Sequence, residues 1–293
     1  MLILHVIVLL LVLFAAPARA SSLYNPAEHG LNAMAKGDCD GAIADFTEAI
    51  FLDPNDAAAY LNRGSCYEGR GDYDHAIADF TRAIQLDQKN YLFFLNRGLA
   101  WGRKGDFDRA IADFTAAAAR EPLDAENFSD RAFYEAKKGD REKAIADYSE
   151  AIKVKPDDAD SYRGRGFEHY LQGECDAAIA DYDTAIRLRG DDFDLYTERG
   201  ASYGKKGSFA QAIADYTRAI KLRPGECNVY AWRARAYLAL GDSRRSLKDF
   251  DKALKLCPQK DWIRQERNLV PGAKGAPGKA ASKQDNPARL QTQ

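Results

Sequence analysis

A block of 34 residues recurs seven times along this 293-residue chain, and no other feature constrains the fold as strongly. Each copy carries Ala-Ile-Ala-Asp followed by Phe or Tyr, except the last, which reads Ser-Leu-Lys-Asp-Phe. The copies of this pattern begin at residues 42, 76, 110, 144, 178, 212 and 246, without any insertion. One such block cannot bury its apolar face alone, so the strict period predicts stacked copies of one supersecondary unit.

Two short helices are predicted in each block. In the second block, Ile77, Phe80 and Ile84 follow the spacing of one helix face, which predicts a helix with one buried side. The pair Gly71-Asp72 precedes this helix. Glycine permits the backbone conformation that ends the preceding helix, and aspartate suits the capping position that starts the next one. The chain is therefore predicted to be all-α.

Residue types at fixed positions resemble those of the tetratricopeptide repeat family. Counted from residues 23, 57, 91, 125, 159, 193 and 227, most blocks carry aromatics at positions 4 and 24, a small residue at position 8, and alanine at positions 20 and 27. The resemblance implies a right-handed superhelical solenoid of antiparallel helix pairs, whose first helices line a concave groove. It also implies a protein that holds protein or peptide partners in that groove and is not an enzyme.

The resemblance places seven repeats within residues 21–260, namely 23–56, 57–90, 91–124, 125–158, 159–192, 193–226 and 227–260. Residues 261–270 are predicted to form a capping helix, since a repeat array needs such an end. Residues 271–293 have no apolar periodicity and are predicted to form a disordered basic tail. The run of alanines at residues 116–119 lacks bulky side chains, so the junction of repeats three and four is predicted to be a flexure point.

The first twenty residues predict export. Residues 2–14 form an apolar run broken only by His5, and Ala18-Arg19-Ala20 follows as a small-x-small cleavage signature. Thirteen helical residues span about 20 Å, which is short of the roughly 30 Å hydrocarbon core. We therefore expect a signal peptide at residues 1–20 and a periplasmic or secreted protein, most naturally bacterial. A retained N-terminal anchor, which would make the protein a membrane-tethered envelope assembly factor, is the alternative.

Five cysteines in an exported chain cannot all pair internally. Cys227 and Cys257 lie nearly level in the predicted helix pair of the last repeat, with an axial offset of about 3 Å. They are predicted to form a disulfide. The same arithmetic places Cys39 and Cys66 about 9 Å out of level, beyond the reach of a disulfide. Cys39, Cys66 and Cys175 are therefore predicted to be small core residues.

Charge and motifs favour a binding protein over a catalyst. The formal net charge is −2, with 42 basic and 44 acidic residues, which gives no indication of a nucleic-acid partner. The four histidines are scattered, and no metal-ligand spacing, phosphate-binding glycine loop or nucleophile motif is present. We expect no cofactor and no metal. An accessory subunit of an enzyme is a further alternative that no motif supports.

Arginine at position 7 and aspartate at position 23 recur together. The arginines are Arg63, Arg97, Arg131, Arg165, Arg199 and Arg233, and the aspartates are Asp45, Asp79, Asp113, Asp147, Asp181, Asp215 and Asp249. The two positions are level in a helix pair, so the residues either form ion pairs within each repeat or present a basic ladder to an acidic ligand. The joint recurrence favours ion pairs. Because leucine is usual at position 7 in the family, Arg97→Leu is expected to be tolerated.

Candidate partner-binding residues follow from the family resemblance, which assigns positions 2, 5, 6, 9, 12 and 13 to the groove. They are Leu61, Asn62, Leu92, Leu95, Asn96, Leu99, Arg103, Phe133, Lys137, Arg163, Phe167 and Tyr170. Leu99, Phe133 and Phe167 share position 9 and are predicted to form one apolar stripe, with the three nearby cations favouring acidic residues in the partner. The alternative is that these side chains pack adjacent first helices together. The oligomeric state stays open.

Overall fold

The computed structural model describes residues 25–273, and all regular structure in this part of the chain is helical. The all-α prediction is confirmed. The chain divides into two compact units, the first ending at Arg120 and the second beginning at Glu121. In the first unit the helices are α1 Pro26–Ala35, α2 Cys39–Leu52, α3 Ala57–Gly69, α4 Tyr73–Leu86, α5 Tyr91–Lys104 and α6 Phe107–Ala118.

The second unit contains the remaining nine helices of the described chain. They are α7 Ala125–Lys138, α8 Arg141–Val154, α9 Ala159–Gln172, α10 Cys175–Arg189, α11 Phe193–Lys206, α12 Phe209–Leu222, α13 Cys227–Ala239, α14 Ser243–Leu256 and α15 Asp261–Leu269. The division after Arg120 falls at the junction for which the sequence predicts flexure, and the flexure itself stays a prediction. None of the helices within residues 25–273 has the length and apolarity that a membrane crossing requires.

The Gly-Asp pairs mark the helix boundaries. Gly105 ends α5 with a φ of 94°, a left-handed conformation that glycine adopts without steric cost. The next residue, Asp106, caps α6 by accepting a hydrogen bond from the backbone N–H of Arg109 at 3.1 Å. The same two-residue device separates the helices of the second repeat at Gly71 and Asp72. The turn chemistry therefore repeats with the sequence period.

Within each unit the helices pack in sequence order, and the first helices also contact one another. The first-helix contacts join α1 with α3 and α3 with α5 in the first unit, and α7 with α9, α9 with α11 and α11 with α13 in the second. No consecutive second helices of a unit make a comparable contact in the described chain. Each stack is thus closer on the side of its first helices. We call this side the inner face of each unit.

The core explains the alternation of small and aromatic residues. Phe80, at position 24, is fully buried beneath Gly64, at position 8. A Cβ atom added to Gly64 would lie 2.7 Å from Cε1 of Phe80, which is closer than packed atoms approach. Tyr216 lies in the same way beneath Gly200, with a corresponding distance of 2.9 Å. The aromatic ring at position 24 therefore leaves room for only a small residue at position 8.

The arginines of position 7 form ion pairs inside their repeats. Arg97 donates from Nε and Nη2 to the two carboxylate oxygens of Asp113, at 2.8 and 2.7 Å. It also donates from Nη1 to Oγ1 of Thr81 in the preceding repeat, at 3.1 Å, and lies 5.9 Å from the ring centroid of Phe94. The same pairing recurs in Arg63–Asp79, Arg131–Asp147, Arg165–Asp181, Arg199–Asp215 and Arg233–Asp249. The intrarepeat ion pairs are confirmed, and they use the donors that a ligand ladder would need.

The last helix, α15, packs against α14 and contributes Ile263 to the core of the last repeat. Nε of Arg267 in this helix donates to Oδ1 of Asp251 at 2.8 Å. The two residues are 16 apart in sequence, as are Arg97 at position 7 and Thr81 at position 25 of the preceding repeat, which also pair. The helix thus occupies the place of a first helix in an eighth repeat. The predicted signal peptide at residues 1–20 and residues 274–293 of the predicted tail lie outside the described residues.

The predicted pairing of the cysteines is confirmed for the disulfide and for the three free thiols. Cys227 and Cys257 form the predicted disulfide, with Cα atoms 6.0 Å apart. Cys39 and Cys66 pack in one hydrophobic cluster. Burial raises the pKa of Cys66, and the neighbouring Cys39 adds to the rise. The two thiols are unbridged, as predicted, although they share this cluster across two different repeats. Of the three free cysteines, Cys66 is buried, whereas Cys39 and Cys175 are half-buried.

Candidate binding surface on the inner faces

The second unit exposes two aromatic rings on its inner face. Phe133 of α7 and Phe167 of α9 are 46% and 43% exposed and occupy position 9 of consecutive repeats. The Lys137 ammonium lies 5.2 Å from the ring centroid of Phe133. The ring of Tyr170 stacks on Phe167 with centroids 6.4 Å apart. The structure therefore brings four predicted site residues onto the touching helices α7 and α9.

Tyr170 both packs against the core and contacts a neighbouring first helix. Its ring packs against the buried cluster that contains Tyr182 and Leu195. On its other side, Nζ of Lys205 from α11 lies 4.7 Å from the Tyr170 ring centroid and donates to the Tyr170 carbonyl oxygen at 2.6 Å. Leu171 follows and is 41% exposed. Sequence reasoning missed Leu171, although position 13 belongs to the groove positions and a leucine there could have been found.

Arg163 does not offer a free positive charge. Its guanidinium binds both carboxylate oxygens of Glu198 on α11, with Nε at 2.9 Å from Oε2 and Nη2 at 2.6 Å from Oε1. Burial raises the pKa of Glu198, and the hydrogen bonds and charge of Arg163 act against that rise. The expectation that Arg163 favours acidic partner residues stays a prediction, and it is weakened because a neighbouring first helix already supplies a carboxylate. Sequence reasoning missed Glu198.

Tyrosine hydroxyls lie directly beneath the inner face of the second unit. The ring of Tyr148 packs directly against Gly164 of α9, because a Cβ atom added to Gly164 would lie 2.4 Å from Cζ of Tyr148. Tyr182 is fully buried, and its hydroxyl has no hydrogen-bond partner among the described residues. Burial raises the pKa of Tyr182, and the negative charge of Glu198 adds to the rise. The exposed aromatics therefore lie over a core with polar atoms.

The inner face of the first unit has a different composition. Leu92 is exposed, Leu95 and Leu99 are half-buried, and Leu61 packs against the core that contains Phe80. Leu31, at position 9 of the first repeat, is exposed as well and was missed, although it shares the register of Leu99. This face is therefore aliphatic where that of the second unit is aromatic.

Amide and ion-paired side chains complete the first unit's inner face. Asn62 is half-buried, and Asn96 donates from Nδ2 to the Leu92 carbonyl oxygen at 2.8 Å. Arg103 pairs with Glu68 of α3 at 2.8 Å, so the charge of Arg103 is offset as that of Arg163 is. Burial raises the pKa of Glu68, against the effect of Arg103. Both arginines therefore already have a carboxylate partner within the chain.

The predicted stripe of Leu99, Phe133 and Phe167 falls on both units. Leu99 belongs to the first unit and is half-buried. Phe133 and Phe167 belong to the second unit and are exposed on helices in contact. The part of the stripe that the geometry supports as one surface is therefore the aromatic pair.

A second concavity lies at the turn after α9. This cavity of about 530 Å³ is lined by residues 173–177 with Lys205 and Lys206. Its charged groups are engaged, because Lys206 pairs with Asp176, and Glu174 pairs with His169 at 2.6 Å. Within residues 25–273, no group of three or more histidine, cysteine, aspartate or glutamate residues could hold a metal ion. The aromatic pair remains the stronger candidate.

Sequence comparison agrees with the helix pairs described above. Models of the tetratricopeptide repeat match residues 28–91, 193–226 and 227–260, and a further model of the same repeat matches residues 131–173 and 166–207. The chain belongs to the tetratricopeptide repeat family, and its fold is an all-α repeat solenoid. Proteins with this fold are interaction scaffolds. None of the curated proteins matches the sequence.

Solved structures of the family are similar to this chain. The C-terminal part of a repeat-containing protein from Cytophaga hutchinsonii is 19% identical with a TM-score of 0.71, covering 81% of this chain and 98% of that one. A protein from Parabacteroides merdae is 22% identical with a TM-score of 0.60, covering 84% and 97%. YrrB, described as having an unusual peptide-binding site, is 16% identical with a TM-score of 0.60, covering 65% and 98%. At these identities the likeness concerns the fold alone.

Proposed function

We propose that the protein is an exported, non-catalytic scaffold that binds a protein or peptide segment on the inner face of its second unit. The observation that carries this proposal is the exposure of Phe133 and Phe167 at equivalent positions of adjacent first helices. Exposed apolar patches on proteins mark interaction surfaces, and aromatic anchors are where binding energy concentrates. The two rings offer a partner two apolar contacts on one face.

The competing role for these rings is packing between first helices. Leu195, which does serve the core of the second unit, is fully buried, whereas each of the two phenylalanines keeps more than two fifths of its surface exposed. Much of their area is therefore still available to a ligand. Because Arg163 is neutralised by Glu198, the chemistry favours a segment with apolar or aromatic side chains over an acidic one.

Export is part of the proposal and is supported by two observations. The apolar run and small-x-small signature at residues 1–20 have the features of a signal peptide. The disulfide between Cys227 and Cys257 suits an oxidising compartment, since structural disulfides are rare in the reducing cytosol. N-terminal sequencing of the mature protein tests this point: a chain that begins at Ser21 supports export, and an intact Met1 favours a tethered envelope assembly factor.

The binding surface is tested with a random peptide library displayed on phage. Peptides selected on the wild-type protein are measured against the double variant Phe133→Ser and Phe167→Ser. We expect a loss of affinity of about 30-fold or more, because a truncated aromatic anchor typically costs about 2 kcal/mol. The matched control is Leu31→Ser, an exposed position 9 residue of the first unit, which should leave the affinity unchanged.

Stability measurements separate binding from packing in the same variants. If the double variant loses the peptides while its melting temperature stays within a few degrees of wild type, the rings serve binding. Retained affinity would exclude this surface. A collapsed melting temperature would show that the rings hold α7 and α9 together.

A further inference from the structure

We propose that Cys39 and Cys66 form a second disulfide, which joins the first repeat to the second. Cys39 is the first residue of α2, and Cys66 lies near the end of α3. Both side chains pack in the cluster that contains Phe46 and Ala59. The structure records both as free thiols that pack against the same cluster.

The repeat pattern shows that these two positions meet. Cys39 occupies position 17 of its repeat and Cys66 occupies position 10 of the next. In the second unit the same two positions hold Arg141 and Glu168, whose charged atoms are 3.6 Å apart. Tyr73 and Ala100 hold them in the next pair of repeats and share one hydrophobic cluster. A contact between positions 17 and 10 is therefore a property of the repeat stack, and only here does it place two thiols together.

A neighbouring ion pair holds the two helices in this register. Asp40 follows Cys39 directly, and Arg70 lies one helical turn after Cys66. Nη1 of Arg70 and Oδ1 of Asp40 are 2.6 Å apart. The ion pair joins the start of α2 to the end of α3. A disulfide requires Cα atoms within about 7 Å of each other, and the proposal requires this of Cys39 and Cys66.

The oxidant we name is a small-molecule or protein disulfide. Cys39 is half-buried and attacks first, forming a mixed disulfide and releasing one thiol of the oxidant. Cys66 then attacks the Cys39 sulfur, so that the new S–S bond forms and the second thiol of the oxidant leaves with the remaining proton. Two thiols are oxidised and one disulfide is reduced. Burial raises the pKa of Cys66 to about 12, so Cys66 holds little thiolate and is not the residue that attacks first. Its attack on the mixed disulfide is intramolecular, which compensates for the small thiolate fraction.

The bond would reinforce an end of the repeat array. Within the described chain the first repeat packs against the second repeat only, whereas an internal repeat packs against two neighbours. The last repeat, which is followed by the single helix α15, carries the disulfide between Cys227 and Cys257. With the second bond, each terminal repeat of the array would be covalently closed, one internally and one to its neighbour.

The test treats the full chain, with its Cys227–Cys257 bond intact, with oxidised glutathione and maps the peptides without reduction. We expect one peptide pair linked through Cys39 and Cys66, whereas Cys175, the half-buried cysteine without a thiol neighbour in the described chain, carries glutathione alone. Separate glutathione adducts on Cys39 and Cys66, or two unmodified thiols while Cys175 reacts, would overturn the proposal.

A second measurement keeps the result independent of variant folding. Oxidation should raise the melting temperature by a few degrees and slow hydrogen exchange in α1 and α2, because the link restricts the unfolded chain. Cys39→Ser should abolish both effects, and Cys175→Ser should retain them. Equal responses of these two variants would show that the effects arise elsewhere.

Discussion

The two units share one repeat and differ in what lies inside it. Position 24 holds Phe46, Phe80 and Phe114 in the first unit but Tyr148, Tyr182 and Tyr216 in the first three repeats of the second. Besides its ladder aspartates, the second unit buries Glu135 and Glu168, each with one oxygen that lacks a hydrogen-bond partner in the described chain, whereas the first unit has one such carboxylate oxygen, on Glu68. The comparison shows that the glycine or alanine at position 8 leaves room for an aromatic ring at position 24, whether or not that ring carries a hydroxyl group.

Polar cores and exposed aromatics occur together in the second unit. A buried polar atom without a partner costs free energy, so this unit is expected to be less stable for its size than an apolar stack. Departures from the best local choice concentrate at functional sites in many proteins. The coincidence therefore agrees with a binding role for the inner face of the second unit.

The largest expected effect concerns the arginine ladder, which both units share. Asp113 is more buried than Arg97, with side-chain exposures of 9% and 21%. Removal of the arginine strands a buried carboxylate, whereas removal of the aspartate leaves a cation that can reach water. We therefore expect Arg97→Leu to lower the free energy of unfolding by about 3 kcal/mol and Asp113→Ala to lower it by less, contrary to the expectation from the family's usual leucine.

Arg165→Leu in the second unit is the matched variant, because Asp181 is buried to the same degree as Asp113. Chemical denaturation combined with hydrogen exchange measures each unit separately. Equal losses in the two units would show that the ladder is common to both. A tolerated Arg97→Leu would mean that water or protonation compensates the buried carboxylate of Asp113. If only one unit tolerated the change, the ladder would be a further difference between the two units.

The second prediction tests the buried carboxylate of Glu135. Burial, with a smaller contribution from Asp147, raises the pKa of Glu135 from 4.5 to about 7, although Arg131 acts in the opposite direction. Since the folded state binds the proton more tightly than the unfolded state, this group favours folding below about pH 4.5, and that contribution is lost as the pH rises to about 7. Glu135→Gln should therefore stabilise the second unit at pH 8 by about 2 kcal/mol and change little at pH 5.

Glu68→Gln in the first unit is the control for this pH effect. The pKa of Glu68 is also raised by burial, but Arg103 pairs with its carboxylate at 2.8 Å and would lose its partner. We expect no gain from this variant at either pH. Denaturation curves at pH 5 and pH 8 decide between the outcomes, and a Glu135→Gln variant that is destabilised at pH 8 would show that the carboxylate is needed in its charged form.

The smallest expected effect comes from exchanging the aromatic residues of position 24. Tyr182→Phe removes a buried hydroxyl that has no partner in the described chain, so it should be neutral or stabilising by about 1 kcal/mol. The reciprocal change, Phe114→Tyr, places a hydroxyl in an apolar core and should destabilise the first unit by about the same amount. Thermal melts measure both variants. A destabilised Tyr182→Phe would indicate that a bound water satisfies the hydroxyl.

Sequence reasoning succeeded where a feature lies within one repeat. The Gly-Asp pairs predict the helix boundaries, and the level arithmetic predicts the Cys227–Cys257 bond and the pairing of Arg97 with Asp113, because each of these contacts stays inside one helix pair. The period itself predicts the family. These features depend on local geometry, which is the same in every copy.

Contacts between repeats were the part that sequence reasoning did not predict. The pairing of Arg163 with Glu198 spans 35 residues, one more than the period, and depends on how neighbouring first helices are offset. The proximity of Cys39 and Cys66 depends on the corresponding offset between a second helix and the next first helix. The 34-residue period predicts that each repeat has a neighbour, but it does not predict how far that neighbour is shifted along the helix axis. The residues that meet between repeats are therefore known only from the structure.

Helix α15 has a consequence for how such an array could change in length. Its Arg267 pairs with Asp251 at the separation found between internal repeats, but its Glu266 also pairs with Arg235, and position 9 holds arginine in no other repeat. An in-frame duplication of repeat seven ahead of α15 would present it with an equivalent surface, whereas loss of repeat seven would not. The terminal helix thereby allows the array, and with it the area available to partners, to lengthen by copies of repeat seven without a new end being built.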